Sequence, residues 1–145
     1  MSPGPRAAAR GAAAAFALAL VASPAHAAPG DRQYATLYNH DQSGFLRALR
    51  AGEDFVKGGR GRQFRIVLAG PGVIVVIPGT STAQREYMKA GRARGLEIIA
   101  CKETLDALSK ANKRRIPVLP GVSVRTCQSL RNQMTVSGWQ VAPGF

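Results

Sequence analysis

The chain has 145 residues and a formal net charge of +12, with 46% hydrophobic but only 6% aromatic residues. That length suits one domain around one core rather than several. The basic residues are scattered over Arg60/Arg62/Arg65, Arg92/Arg94 and Lys113-Arg114-Arg115, and stacking aromatics are too few to build a nucleic-acid surface, so no nucleic-acid partner is expected.

In chain order, the first segment reads as an address rather than as structure. Arg6 and Arg10 form a positive n-region, Gly11 to Ala22 a short apolar stretch, and Ala25-His26-Ala27 a small-residue cleavage site. This is the pattern of a secretory signal peptide, and the apolar run is too short for an ordinary membrane span. Residues 1–27 are therefore expected to be removed near Ala27, leaving residues 28–145 as a single periplasmic domain that is not an integral membrane protein. Without Arg6 and Arg10 the charge is still +10, which serves solubility, anionic envelope surfaces or small anionic ligands.

Tyr34 to Asn39 is rich in strand-forming residues and ends at His40-Asp41. Apolar residues at Phe45, Leu46, Leu49, Phe55 and Val56 predict a helix over 42–57, and Lys57 to Gly61 breaks it. Phe64 to Ala69 is a second strand, ending at Gly70-Pro71-Gly72. Val73 to Ile77 is β-branched and short, readable as a strand or as an extended buried segment. Ser81 or Thr82 can cap a helix running through Arg94, with Gly95 as its stop. Leu96 to Ala100 is a third strand, and residues 102–111 a helix with Leu105 and Leu108 on one face. Val122 and Val124, with Cys127 as a candidate third residue, mark one side of a fourth strand. Residues 128–137 read as helical, and Trp139 to Ala142 as a last strand. Strands two and three are continuous apolar runs, the pattern of a sheet covered on both faces, so the expected class is parallel α/β.

In open α/β sheets, ligands bind outside the carboxyl ends of the strands. His40, Gly70-Pro71-Gly72, Cys101 and Cys127 follow four successive strands and so share one edge. A thiol at the start of a helix is favoured as thiolate by the helix dipole, and Lys102 adds a cation while Glu103 opposes it. Three roles are open to Cys101: nucleophile, half of a disulfide with Cys127, or a small buried hydrophobe. Export raises the weight of a disulfide, and the lack of a Cys-x-x-Cys lowers that of thioredoxin-like exchange. His40 can act as a base or as a surface hydrogen-bonder, and Trp139 suits a core or an oligomer interface. No metal-ligand spacing occurs in the mature chain, and no cofactor is indicated.

Four short motifs, in order and spacing, resemble those of one family. They are Gly70-Pro71-Gly72-Val73, Cys101-Lys102-Glu103-Thr104-Leu105 (similar to Cys-x-Asn-Thr-Leu), Leu119-Pro120-Gly121-Val122, and Gly138-Trp139-Gln140-Val141-Ala142-Pro143. Over about residues 33–143 the chain resembles the exported, single-domain members of the DsrE-like sulfur-relay family. The resemblance implies a three-layer α/β/α Rossmann-like domain with a mainly parallel sheet of about five strands, assembling as a homo-oligomer (trimer or hexamer). It also implies that Cys101 holds a persulfide, passed between sulfur donor and acceptor proteins. The shared strand edge offers a ligand pocket beside it, expected to comprise His40, Gly70, Pro71, Gly72, Lys102, Thr104 and Cys127. The chain departs from the family at three places: Ala69 stands for a histidine, Glu103 for the asparagine, and Cys127-Gln128 for Ser-Gly. Two readings follow: a thiol-dependent sulfur carrier, or a non-catalytic oligomeric protein that binds a small anionic ligand, its cysteines structural or disulfide-bonded.

Overall fold

The computed structural model describes Gly4 and residues 30–79, 81–89 and 93–145; apart from Gly4, the expected signal peptide lies outside the described residues. Five strands, β1 (Arg32–Leu37), β2 (Gln63–Leu68), β3 (Leu96–Cys101), β4 (Ser123–Arg125) and β5 (Gln140–Val141), form one sheet in the order β4-β3-β2-β1-β5. Every pairing is parallel. The helices are α1 (Gln42–Lys57), α2 (Thr82–Lys89), α3 (Lys102–Asn112) and α4 (Cys127–Val136). This is the parallel α/β architecture that the alternating pattern predicts, in the Rossmann-like form that the resemblance implies. Among the described residues, no helix is long and apolar enough to cross a membrane.

The strand order explains where the helices lie. From β1 to β4 each strand is added on the same side of its predecessor, and β5 then returns to the far side of β1. Right-handed crossovers require a reversal of direction to place the next helix on the opposite face. The cores follow that rule. Ala35, Phe64, Ile66, Leu68, Ile98 and Ala100 pack with Phe45, Ala48 and Leu49 of α1, Tyr87 of α2 and Leu105 of α3. The alternate strand residues Val67, Ile99 and Cys101 pack with Leu130 and Met134 of α4. One face thus carries three helices and the other carries α4.

The second face is correspondingly more polar beyond the reach of α4. Glu97 accepts from Arg65 at 3.1 Å and pairs with Arg125 at 2.6 Å. The Arg65 guanidinium also stacks on Trp139, 4.3 Å from the ring centre. Trp139 packs against the smaller core, with its ring face on that arginine.

Helix α1 begins and ends where the sequence predicts. Asp41 is its N-cap, accepting from the Ser43 backbone N–H at 3.0 Å and from the Ser43 hydroxyl at 2.8 Å. Those bonds hold the Asp41 carboxyl below its ordinary pKa. Gly52, the imperfection in the helical pattern, lies where a Cβ would meet Phe64 and Leu96, so its lack of a side chain lets α1 sit close on the sheet.

The β-branched run after β2 departs from the strand reading. Gly70–Val76 is a 3-10 helix, with Pro71 in its first turn and Gly72, Val73, Val75 and Val76 buried. Both sides of β2 are already occupied, by β1 and β3, so the segment cannot add a strand beside β2, and the vacant edges lie at the far strands β4 and β5. Its carbonyls are satisfied elsewhere. The buried Gln84 side chain donates to Val75 at 3.1 Å and to Ile77 at 2.6 Å, and accepts from the Gly79 N–H at 2.8 Å. The Val76 carbonyl accepts from Leu119 at 2.8 Å. Cys127 likewise opens α4 rather than continuing the fourth strand.

Candidate functional site

Strands β3 and β4 are neighbours whose outgoing connections part company: α3 packs on the first face and α4 on the second. Such a divergence leaves a crevice at the carboxyl edge, the usual ligand position of an open parallel sheet. Cys101 is the last residue of β3 and the N-cap of α3. Cys127 is the first residue of α4, just past β4. Their sulfurs are joined in a disulfide across the crevice, with the Cα atoms 5.2 Å apart. That separation is ordinary for a cystine.

The two cysteines differ in surroundings. Cys101 is only 2% exposed, enclosed by Val67, Ile99, Leu130 and Met134, whereas Cys127 is partly exposed. Both lie at helix N-termini, where backbone N–H groups and the helix dipole favour negative charge.

A third residue completes the group. Thr126, the N-cap of α4, makes no side-chain capping bond. Glu103 of α3 takes that place, its carboxylate accepting from the Cys127 N–H at 3.1 Å and from the Gln128 N–H at 3.5 Å. These bonds draw the Glu103 pKa below its ordinary value. The carboxylate and both sulfurs lie within 4.8 Å of one another. In the disulfide neither sulfur is a thiolate, so in this state the trio offers no metal-ligating sulfur.

Beside the disulfide lies a cavity of about 260 Å³, between the second face of the sheet and α4. Tyr34, Thr36 and Tyr38 line it from β1 and the residue after it, Ala69 from the end of β2, and Arg131 from α4. Cys101 and Cys127 form part of the same wall. The period-two alternation of Tyr34, Thr36 and Tyr38 puts the three on one face of the strand, a signal present in the sequence but not used to find the pocket.

The other residues expected at the edge are placed differently from one another. Gly70 donates its N–H to the Thr104 hydroxyl at 3.1 Å, tying the Gly-Pro-Gly turn to α3. Gly72 packs so closely on the Leu37 carbonyl that a Cβ would overlap it. Pro71 and His40 are exposed, and neither lines the cavity. Lys102 pairs with Asp106 one turn along α3, which raises its pKa, and lines a separate groove with Ile116, Pro117 and Val118. Its ammonium is therefore committed to a carboxylate rather than to the thiol. Sequence reasoning named Glu103 as an opposing charge and as a departure from the family's asparagine; its role as the cap of α4 depends on a contact 24 residues away.

Fold and site together define a parallel α/β protein with a cystine at the divergence of its connections. The chain matches no protein-family model and no curated protein. It is similar to a solved structure of a protein of unknown function, MTH1491 from Methanobacterium thermoautotrophicum, with a TM-score of 0.58 and 18% identity. The similarity covers 77% of this chain and 96% of that one, and it supports the fold.

Proposed function

We propose that the chain is an exported thiol-dependent sulfur carrier of the DsrE-like type, with Cys101 accepting sulfane sulfur and the Cys101–Cys127 disulfide as its oxidised resting form. The observation that carries this reading is the position of the cysteine pair at the diverging carboxyl edge, on two helix N-termini and in the wall of a cavity. A persulfide carrier needs a thiolate that is stabilised and a space that shelters the terminal sulfur. Helix α3 supplies the first and the enclosed side of the cavity the second. The disulfide also accords with an oxidising compartment, as the signal-like N-terminus leads one to expect. The motif resemblance supports the family reading and, with it, the expectation of a homo-oligomer.

A second reading rests on the disulfide itself, the state expected above for a binding protein, and on the 2% exposure of Cys101 within it. Under it the chain is a non-catalytic oligomeric binding protein, the cystine is structural, and the cavity takes a small anion beside Arg131. Intact mass spectrometry separates the two. Reduced Cys127→Ser protein is mixed with inorganic polysulfide, and Cys101 is expected to gain one sulfur, about 32 Da. Failure to gain it, in protein whose circular dichroism is unchanged, favours the binding protein.

A further inference from the structure

We infer that Cys127 is a resolving thiol, which makes the chain a reductase that converts the sulfane sulfur of small persulfides to hydrosulfide. This rests on the carrier reading of Cys101 and adds a step to it. A pure carrier must hold its persulfide until a partner arrives. Here a second thiol stands within bonding distance of the acceptor sulfur, as the disulfide itself demonstrates. An intramolecular attack between groups so placed outruns an encounter with any partner in solution.

The step balances without further groups. The Cys101 thiolate attacks the outer sulfur of R–S–SH; the S–S bond breaks, and the thiolate RS⁻ leaves with its electron pair. Cys101 now carries –S–SH. Cys127, after losing its proton to solvent, attacks the Cys101 Sγ. The bond between the two cysteine sulfurs forms, the bond to the terminal sulfur breaks, and HS⁻ departs with that pair. The sulfane sulfur is reduced, and the two thiols are oxidised to the disulfide of this structure. A dithiol reductant then returns the pair to thiols.

The asymmetry of the site assigns the roles. Cys101 is the enclosed sulfur, suited to shielding a persulfide from stray thiols, and Cys127 is the partly exposed one that an external dithiol can attack. The cavity beside them admits a small R group, and Arg131 with Tyr34 and Tyr38 on its walls suits one that carries a carboxylate. Inorganic polysulfide fits the same chemistry without using those walls.

The test uses fully reduced wild-type protein with an equimolar amount of glutathione persulfide and no other thiol. Hydrosulfide is measured in solution, and intact mass is followed with time. The expected result is stoichiometric hydrosulfide, with the protein losing two hydrogens as the disulfide forms. Cys127→Ser and Cys127→Ala should instead retain about 32 Da on Cys101 and release hydrosulfide about tenfold more slowly or less. Wild-type protein that keeps the added sulfur and releases no hydrosulfide overturns the resolving role and leaves the carrier standing. If neither wild type nor the variants gain sulfur, the carrier reading falls, and this inference falls with it.

Discussion

The carboxylate of Glu103 accepts the backbone N–H of Cys127 at 3.1 Å, so one residue of α3 both caps α4 and stands beside the disulfide. A negative charge there works against the two helix dipoles. It disfavours thiolates and so favours the disulfide over the reduced pair. Glu103→Gln should reverse this. We expect the reduced variant to alkylate several-fold faster at neutral pH than wild type, and its disulfide to be reduced more readily against a glutathione buffer. Equal alkylation rates across the pH range would mean that the carboxylate does not act on the sulfurs.

The same contact has a pH dependence of defined sign. The Glu103 pKa is depressed in the folded protein, so its capping contribution is complete above the ordinary carboxylate pKa and is lost as pH falls through the lower, folded value. Hydrogen exchange at the Cys127 and Gln128 amides should accelerate over that acidic range beyond the intrinsic pH effect. In Glu103→Gln the extra acceleration should vanish.

Reduction should cost stability. The disulfide closes a loop across a sequence separation of 26 residues, which in the chain-entropy account contributes about 3–4 kcal/mol. Urea titration with and without reductant reads the difference. A loss below about 1 kcal/mol would indicate that the reduced chain keeps the crevice closed by packing alone.

Gly72→Ala should be poorly tolerated. Its Cβ would overlap the Leu37 carbonyl, and backbone on both sides leaves little room to move. We expect a loss of about 2 kcal/mol or more by thermal denaturation. Gly61→Ala is the contrasting control: a Cβ there meets nothing nearby, although the positive φ of 78° still adds modest strain.

Gln84→Met keeps the side-chain length but leaves the Val75 and Ile77 carbonyls and the Gly79 N–H without their partner. A loss of about 2–4 kcal/mol is expected, with faster exchange of amides around the 3-10 segment. A neutral effect would mean that water replaces the amide.

What the sequence made legible was whatever is local or periodic. The 42–57 helix is readable because apolar residues repeat and glycines end it. The parallel sheet is readable because Phe64 to Ala69 and Leu96 to Ala100 are apolar on both sides. The Val73 to Ile77 run misleads because β-propensity says nothing about whether a strand has a vacant neighbour. Cys127 reads equally well as the end of a strand or the start of a helix, since the turn between them is one residue long. The reversal that sends α4 to the opposite face, and with it the meeting of Glu103, Cys101 and Cys127, depends on strand order, which residue patterns do not record. Edge position was deducible for all the candidate residues; orientation was not, and it is orientation that separates Cys101 and Cys127 from His40 and Lys102.

The disulfide has one more consequence, through what it encloses. Strand β4 is three residues long, pairs among the described residues only with β3, and lies wholly within the covalent ring that runs from Cys101 to Cys127. Its own ladder is too short to anchor it firmly. Oxidation therefore fastens this edge strand, and reduction loosens that border of the sheet, so the redox state of two sulfurs governs how firmly one edge is sealed.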